Sequence, residues 1–162
     1  MRLAVLVSGR GSNMLRLADH IMAGQDASQN AGCKIVLVAA NKKCAGLDLA
    51  DQRGFATSLV ARSDFASRAA QEEVLAKQIE DAGADWICLA GYMAVLSASF
   101  VDRFAGRIIN IHPSLLPEYK GLDAHQRVLE AGDAVHGATV HLVTPELDDG
   151  PIILQVSLKV DR

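Results

Sequence analysis

The sequence has 162 residues and lacks any apolar run of the roughly 20 residues that a membrane-spanning helix needs. It also lacks an excess of positive charge. Its 16 basic and 19 acidic residues are scattered and give a net charge of -3, which argues against a nucleic-acid surface. Its three cysteines are odd in number and form no CxxC pair, so no disulfide framework is expected. No signal-peptide cleavage pattern follows the N-terminal apolar stretch. These absences predict a cytoplasmic protein without nucleic-acid or membrane partners.

Two well-known phosphate-binding motifs are missing as well. The loop Ser8-Gly9-Arg10-Gly11-Ser12-Asn13 has Met14 where a dinucleotide-binding G-x-G-x-x-G motif needs its third glycine, and the Walker lysine is absent. The loop still joins an apolar strand pattern to a helical one, and free N–H groups at a helix start suit a phosphate. We therefore expect Gly11, Ser12 and Asn13 to hold one terminal phosphate. A capped strand-to-helix turn without a ligand is the alternative.

Strand and helix patterns alternate along most of the chain, and half of the residues are hydrophobic, which is enough for one globular core. The first predicted helix starts near residue 14. Four further helices are predicted at residues 46–54, 66–82, 97–104 and 124–131. The predicted strands are residues 3–7, 34–40, 56–60, 85–90, 107–111, 138–143 and 152–158. The alternation predicts an α/β fold, a Rossmann-like mainly parallel sheet between two helical layers. No helix separates the last two strands, so that end of the sheet is expected to be antiparallel or mixed.

A second candidate site lies at the end of the fifth predicted strand. Period-two alternation places Asn110 and His112 on one face of that strand. An amide that donates a hydrogen bond, beside an imidazole that moves a proton, suits acyl-type transfer. A capped strand end with a surface histidine is the alternative on these residues alone.

The longer string Asn-Ile-His-Pro-Ser-Leu-Leu-Pro, residues 110–117, resembles the signature of the folate-dependent formyltransferases. Gly-Leu-Asp-Ala-His at 121–125, Gly-Ala-Thr-Val-His at 137–141 and Glu-Leu-Asp-Asp-Gly-Pro-Ile-Ile at 146–153 continue the resemblance in the family's order. The resemblance implies a three-layer formyltransferase fold. With the loop at 8–13, it also implies formyl transfer from 10-formyltetrahydrofolate to the amine of N1-(5-phospho-D-ribosyl)glycinamide, a step of purine synthesis.

The resemblance also implies the roles of individual residues. Asn110, His112 and Asp148 would be catalytic, although an acidic turn alone would explain Asp148. Gly11, Ser12 and Asn13 would bind the ribonucleotide phosphate. Arg68 is the matching position for an arginine that contacts the cofactor, with a solvated helix arginine as the alternative. The expected folate-site residues are Arg68, Met93, Ala94, Val95, Leu96, Asn110, Thr144, Pro145, Glu146, Leu147 and Asp148. No metal is expected, and the partners are small molecules, with the protein a monomer or a homodimer.

Two departures from the family pattern stand out. Some members have arginine at the position of Ala94, and members usually continue beyond the position of Arg162 through a further helix and strand. We therefore expect residues 1–162 to form a single formyltransferase domain that lacks the family's C-terminal segment. A formyltetrahydrofolate hydrolase and a non-catalytic folate- or nucleotide-binding relative are the alternative functions.

Overall fold

The computed structural model describes residues 1–26 and 32–161. These residues form a seven-stranded sheet, flanking α-helices and a short 3-10 helix at Arg62–Asp64. The strands are β1 (Arg2–Val7), β2 (Lys34–Ala40), β3 (Thr57–Leu59), β4 (Trp86–Leu89), β5 (Ile108–His112), β6 (Val135–Leu142) and β7 (Ile152–Lys159). The α-helices are α1 (Ser12–Asp26), α2 (Ala45–Gln52), α3 (Arg68–Asp81), α4 (Ala98–Arg103) and α5 (Ala124–Ala131).

The strand order in the sheet is β3-β2-β1-β4-β5-β6-β7. All pairs from β3 to β5 are parallel, whereas β6 is antiparallel to both β5 and β7. The prediction of a mainly parallel sheet with a mixed C-terminal end is therefore confirmed.

The apolar strands are buried on both faces, as their continuous hydrophobic sequence predicted. Along β1 the side chains alternate between two core clusters. Leu3, Val5 and Val7 pack with residues of α1 and α2, while Ala4 and Leu6 pack with residues of α3 and α4. The parallel part of the sheet thus lies between two helical layers.

The predicted boundaries differ most at β6, which begins at Val135 rather than at residue 138. The three added positions pair with β7, although Val135 is exposed, so hydrophobic alternation does not mark them. The helix α5 has the predicted bounds, and the strand β5 extends one residue further, to His112.

The order of the strands locates a candidate ligand site. The chain reverses its direction of strand addition between β1 and β4, and ligands of such sheets bind beyond the carboxyl ends of the strands at this switch point. The strand β7 forms one edge of the sheet, and its residues are all exposed. Among the described residues, no helix is long and apolar enough to cross a membrane.

Candidate active site

A cavity of about 410 Å³ opens beyond the carboxyl ends of β4 and β5. The segment that follows β4 bounds one side, and the segment that follows β6 bounds the other. The lining includes these residues that the sequence assigned to catalysis or to the folate site: Met93, Ala94, Val95, Leu96, Asn110, His112, Thr144, Pro145, Glu146, Leu147 and Asp148. Residues far apart in the sequence therefore meet at the place where the fold favours ligand binding.

Asp148 is an acidic residue of the cavity lining that lies against His112. Its side chain is only 9% exposed, and its Oδ2 lies 3.3 Å from Nδ1 of His112. The same oxygen accepts a hydrogen bond of 2.9 Å from the backbone N–H of Gly121. Asp148 has a φ of 50°, a left-handed conformation that a tight turn imposes. The turn thus brings a carboxylate against the imidazole, as the sequence motif implied.

His112 contacts a polar atom with each ring nitrogen. Its Nε2 lies 2.9 Å from the carbonyl oxygen of Tyr119, which can only accept a hydrogen bond, so this nitrogen carries a proton. Its Nδ1 faces Asp148. A proton on Nδ1 as well would make the ring a cation paired with that carboxylate. The side chain is 6% exposed, so this charge would sit in a largely buried environment.

His141 belongs to the same cluster, although the sequence analysis named it only as the last residue of a motif. It lies opposite Asn110 in the antiparallel pair of β5 and β6. Its Nδ1 donates to the carbonyl of Leu142 at 2.9 Å, and its Nε2 lies 3.2 Å from Nδ2 of Asn110 and 3.7 Å from Oδ1 of Asp148. A neutral ring therefore accepts one N–H of the Asn110 amide and leaves the second for the cavity. The contact between His141 and Asn110 could not be predicted, because it depends on the register of β5 and β6. That register cannot be read from residue spacing in β6 alone.

The glycine loop forms a second candidate site, outside the lining of this cavity. Gly11 has a φ of 79°, and a Cβ built on it would lie 2.5 Å from Cα of Gly46. Its carbonyl accepts the N–H of Leu15 in the first turn of α1, so Ser12 and Asn13 open the helix. The backbone N–H groups of a helix start are thus present where a phosphate was predicted.

Ser8 connects the glycine loop to the cavity, a role that sequence reasoning missed. Its hydroxyl donates to Oδ1 of Asn41 at 2.6 Å and accepts the N–H of Met93 at 2.8 Å. Its own N–H donates to the carbonyl of Gly91. Hydrogen bonds of Ser8 therefore connect the glycine loop directly to Gly91 and Met93 of the cavity lining.

Apolar side chains surround much of the cavity. Met93, Val95, Leu122 and Leu147 are each more than half exposed, which is unusual for residues of this type unless a ligand or partner covers them. Tyr92 adds a phenol to the lining, and burial raises its pKa to about 12, so it stays neutral. The walls are suited to a largely apolar ligand.

Arg68 does not line this cavity. It is the first residue of α3, and its Nε donates to Glu72 at 2.9 Å. Glu72 is buried and also accepts hydrogen bonds from the backbone N–H and the hydroxyl of Ser97. The positive charge of Arg68 slightly opposes the rise in the pKa of Tyr92. Within residues 1–26 and 32–161, no three His, Cys, Asp or Glu side chains are grouped to hold a metal ion.

The chain belongs to the formyl transferase family, whose model matches residues 1–162. Similar proteins include the phosphoribosylglycinamide formyltransferase of Escherichia coli (strain K12), which is 44% identical over 99% of this chain and 74% of its own length. The trifunctional purine biosynthetic protein adenosine-3 of Drosophila melanogaster is also 44% identical, over 98% of this chain but only 12% of its own length.

The fold resembles solved structures of the same kind. The phosphoribosylglycinamide formyltransferase of Coxiella burnetii, in complex with CHES, superposes with a TM-score of 0.91 at 39% identity over 99% of this chain and 74% of that chain. The bacterial relatives thus extend beyond the matched region by about a quarter of their length.

Proposed function

We propose that this protein transfers the formyl group of 10-formyltetrahydrofolate to the amine of N1-(5-phospho-D-ribosyl)glycinamide, which yields the formylated ribonucleotide and tetrahydrofolate. The observation that carries this proposal is the cluster of Asn110, His112 and Asp148 in an apolar-walled cavity of a formyl transferase family member. The activity named for the bacterial relatives agrees with it.

The chemistry requires one new bond and one broken bond. The amine attacks the formyl carbon, and the carbonyl π electrons move onto the formyl oxygen. Collapse of this tetrahedral species expels the folate nitrogen, and the proton that the amine loses ends on that nitrogen. Neither a covalent enzyme intermediate nor a change of oxidation state is required.

The residues of the cluster suit these steps. The second N–H of the Asn110 amide can donate to the formyl oxygen as negative charge builds on it. A protonated His112, paired with Asp148 at Nδ1, adds a positive charge at short range. It can give its Nδ1 proton to the departing folate nitrogen and take up the proton that the amine loses. His141 accepts from Asn110 and so fixes the direction of the amide.

Substrate binding follows from the two connected sites. The pterin would occupy the cavity, between the segments 92–96 and 144–148, and the ribonucleotide phosphate would bind at Gly11, Ser12 and Asn13. The hydrogen bond between Ser8 and Met93 supports this arrangement, because it joins the glycine loop to the segment that follows β4. Arg68 is proposed to contact the cofactor outside the cavity, near Tyr92.

The remaining assignments are proposals of the same kind. We propose a cytoplasmic location. We propose small-molecule partners, no metal, and a monomer or homodimer built from one domain over residues 1–162.

A spectroscopic assay of cofactor deformylation, with and without the ribonucleotide, tests the proposal. Deformylation that requires the ribonucleotide is the expected result. Deformylation at the same rate without it would mean that water is the acceptor and that the protein is a hydrolase. Binding of the cofactor without turnover would reject an enzymatic role. A His112→Asn sample, purified in the same way, corrects for contaminating transferase of the expression host.

A further inference from the structure

The carbonyl of Tyr119 is the partner of His112 on the side away from Asp148. It accepts from Nε2 at 2.9 Å and so determines how the ring is turned. Tyr119 lies in the segment between β5 and α5 and has a φ of 55°. This left-handed conformation is unfavourable for an aromatic residue, and it persists only where the surroundings hold it.

Two contacts hold Tyr119 in place. Its phenol donates to Oδ2 of Asp133 at 2.5 Å, and the guanidinium of Arg127 lies 5.4 Å from the centre of its ring. Arg127 also donates to the carbonyl of Lys120, the next residue of the segment. The hydrogen bond to Asp133 raises the pKa of Tyr119, so the phenol keeps its proton and remains a donor.

Asp133 is itself fixed by regular structure. It follows the last turn of α5, where its N–H donates to the carbonyl of Val128, and it lies two residues before β6. The anchor of the phenol is therefore attached to a helix end and to the strand that carries His141. Neither Tyr119 nor Asp133 lines the cavity, so neither is placed to touch a substrate there.

We propose that Tyr119 is a positioning residue for His112, with the Asp133–phenol hydrogen bond as its anchor. The anchored residue presents its backbone carbonyl to Nε2, and this keeps Nδ1 directed at Asp148. The inference rests on the proposed function for its kinetic consequences, but the orientation of the ring is a property of the protein alone.

The kinetic test compares Tyr119→Phe, which removes one oxygen and retains the ring beside Arg127, with the unaltered protein. We expect kcat to fall by roughly tenfold to a hundredfold, the range that a small misplacement of a catalytic group produces, while KM for both substrates stays within about twofold. Asp133→Ala, which removes the acceptor, should give a similar loss of kcat, and the double variant should lose little more, because both changes break one hydrogen bond.

Glu130→Gln is the matched control, since Glu130 is an exposed carboxylate of α5 that accepts from Gln126 and touches neither Tyr119 nor the cavity. It should leave kcat unchanged. Unaltered kcat in Tyr119→Phe, or losses that multiply in the double variant, would overturn the inference.

A second measurement does not depend on activity. Nitrogen-15 NMR of the histidine rings reports which nitrogen is protonated and whether it is hydrogen-bonded, and His112→Asn identifies the signals of His112 by their loss. We expect the His112 Nε2 signal to shift in Tyr119→Phe and Asp133→Ala but not in Glu130→Gln. An unchanged signal in the folded variants would refute the positioning role. A shift in a protein that shows no formyl transfer would uphold it and reject the proposed function instead.

Discussion

The substitution Asp148→Asn tests the central contact of the proposed active site. Asparagine keeps the size of the side chain and an oxygen that can accept the N–H of Gly121. It removes the negative charge that lies 3.3 Å from Nδ1 of His112. The substitution therefore separates charge from shape.

The expected magnitude follows from the burial of the pair. The two side chains are 6% and 9% exposed, so solvent screens their interaction weakly. Removing one partner of a buried pair costs about 3–5 kcal/mol. Each step of about 1.36 kcal/mol in the activation barrier changes the rate tenfold. If about 3 kcal/mol of the cost appears in the barrier, kcat therefore falls by about 150-fold. KM should change by no more than about threefold, because the apolar walls are unaltered.

The assay is steady-state deformylation in the presence of the ribonucleotide, with Asp149→Asn as the matched control. Asp149 is the next residue, but its side chain is 56% exposed, pairs with Lys120 and does not line the cavity. The control should retain kcat within about twofold, as exposed ion pairs contribute little. A kcat near normal in Asp148→Asn, or equal losses in both variants, would show that the charge facing His112 is not used in the reaction.

Three further predictions concern other parts of the chain. Gly11→Ala should lower stability by about 1–3 kcal/mol and weaken phosphate binding, because its Cβ would meet Cα of Gly46 at 2.5 Å; urea unfolding and phosphate titration measure both effects. Ser97→Ala should cost about 1–2 kcal/mol in the same unfolding assay, because it removes the cap of α4 and a donor to the buried Glu72. Burial and a neighbouring imidazole lower the pKa of His136 below 6.5 in the fold. The unfolded chain therefore binds more protons between the two pKa values, and stability falls as the pH drops through that interval. In His136→Gln the urea midpoint should fall less on acidification than in the unaltered protein. An equal fall of the midpoint with pH in both proteins would contradict the lowered pKa of His136.

The sequence was sufficient for the architecture because hydrophobic pattern and chain order determine most of it. The continuous apolar runs of β1 and β2 specify strands buried on both faces. The missing helix between β6 and β7 specifies an antiparallel end. Position 135 could not be placed in a strand in this way, because its side chain is exposed and only backbone pairing with β7 orders it.

The site was predictable where a motif named a residue, and it was not where a residue acts through its backbone or through strand register. Asn110 and His112 could be selected by side-chain chemistry, and Asp148 only through the family resemblance. The carbonyl of Tyr119 carries no sequence signal, since every residue has one. His141 enters the cluster because the register of β5 and β6 places it opposite Asn110, and local spacing within one strand does not encode that pairing.

The exposed strand β7 supports the active site although no residue of it lines the cavity. The side-chain amide of Gln155 donates to the carbonyl of Leu116 and to the hydroxyl of Thr139, and that hydroxyl donates in turn to the carbonyl of Ser114. Those carbonyls belong to the turn directly after His112. Fraying of the outermost strand would thus release this turn while the parallel core stays intact. Enzymatic activity is consequently a more sensitive reporter of disorder at this edge than any signal averaged over the whole fold.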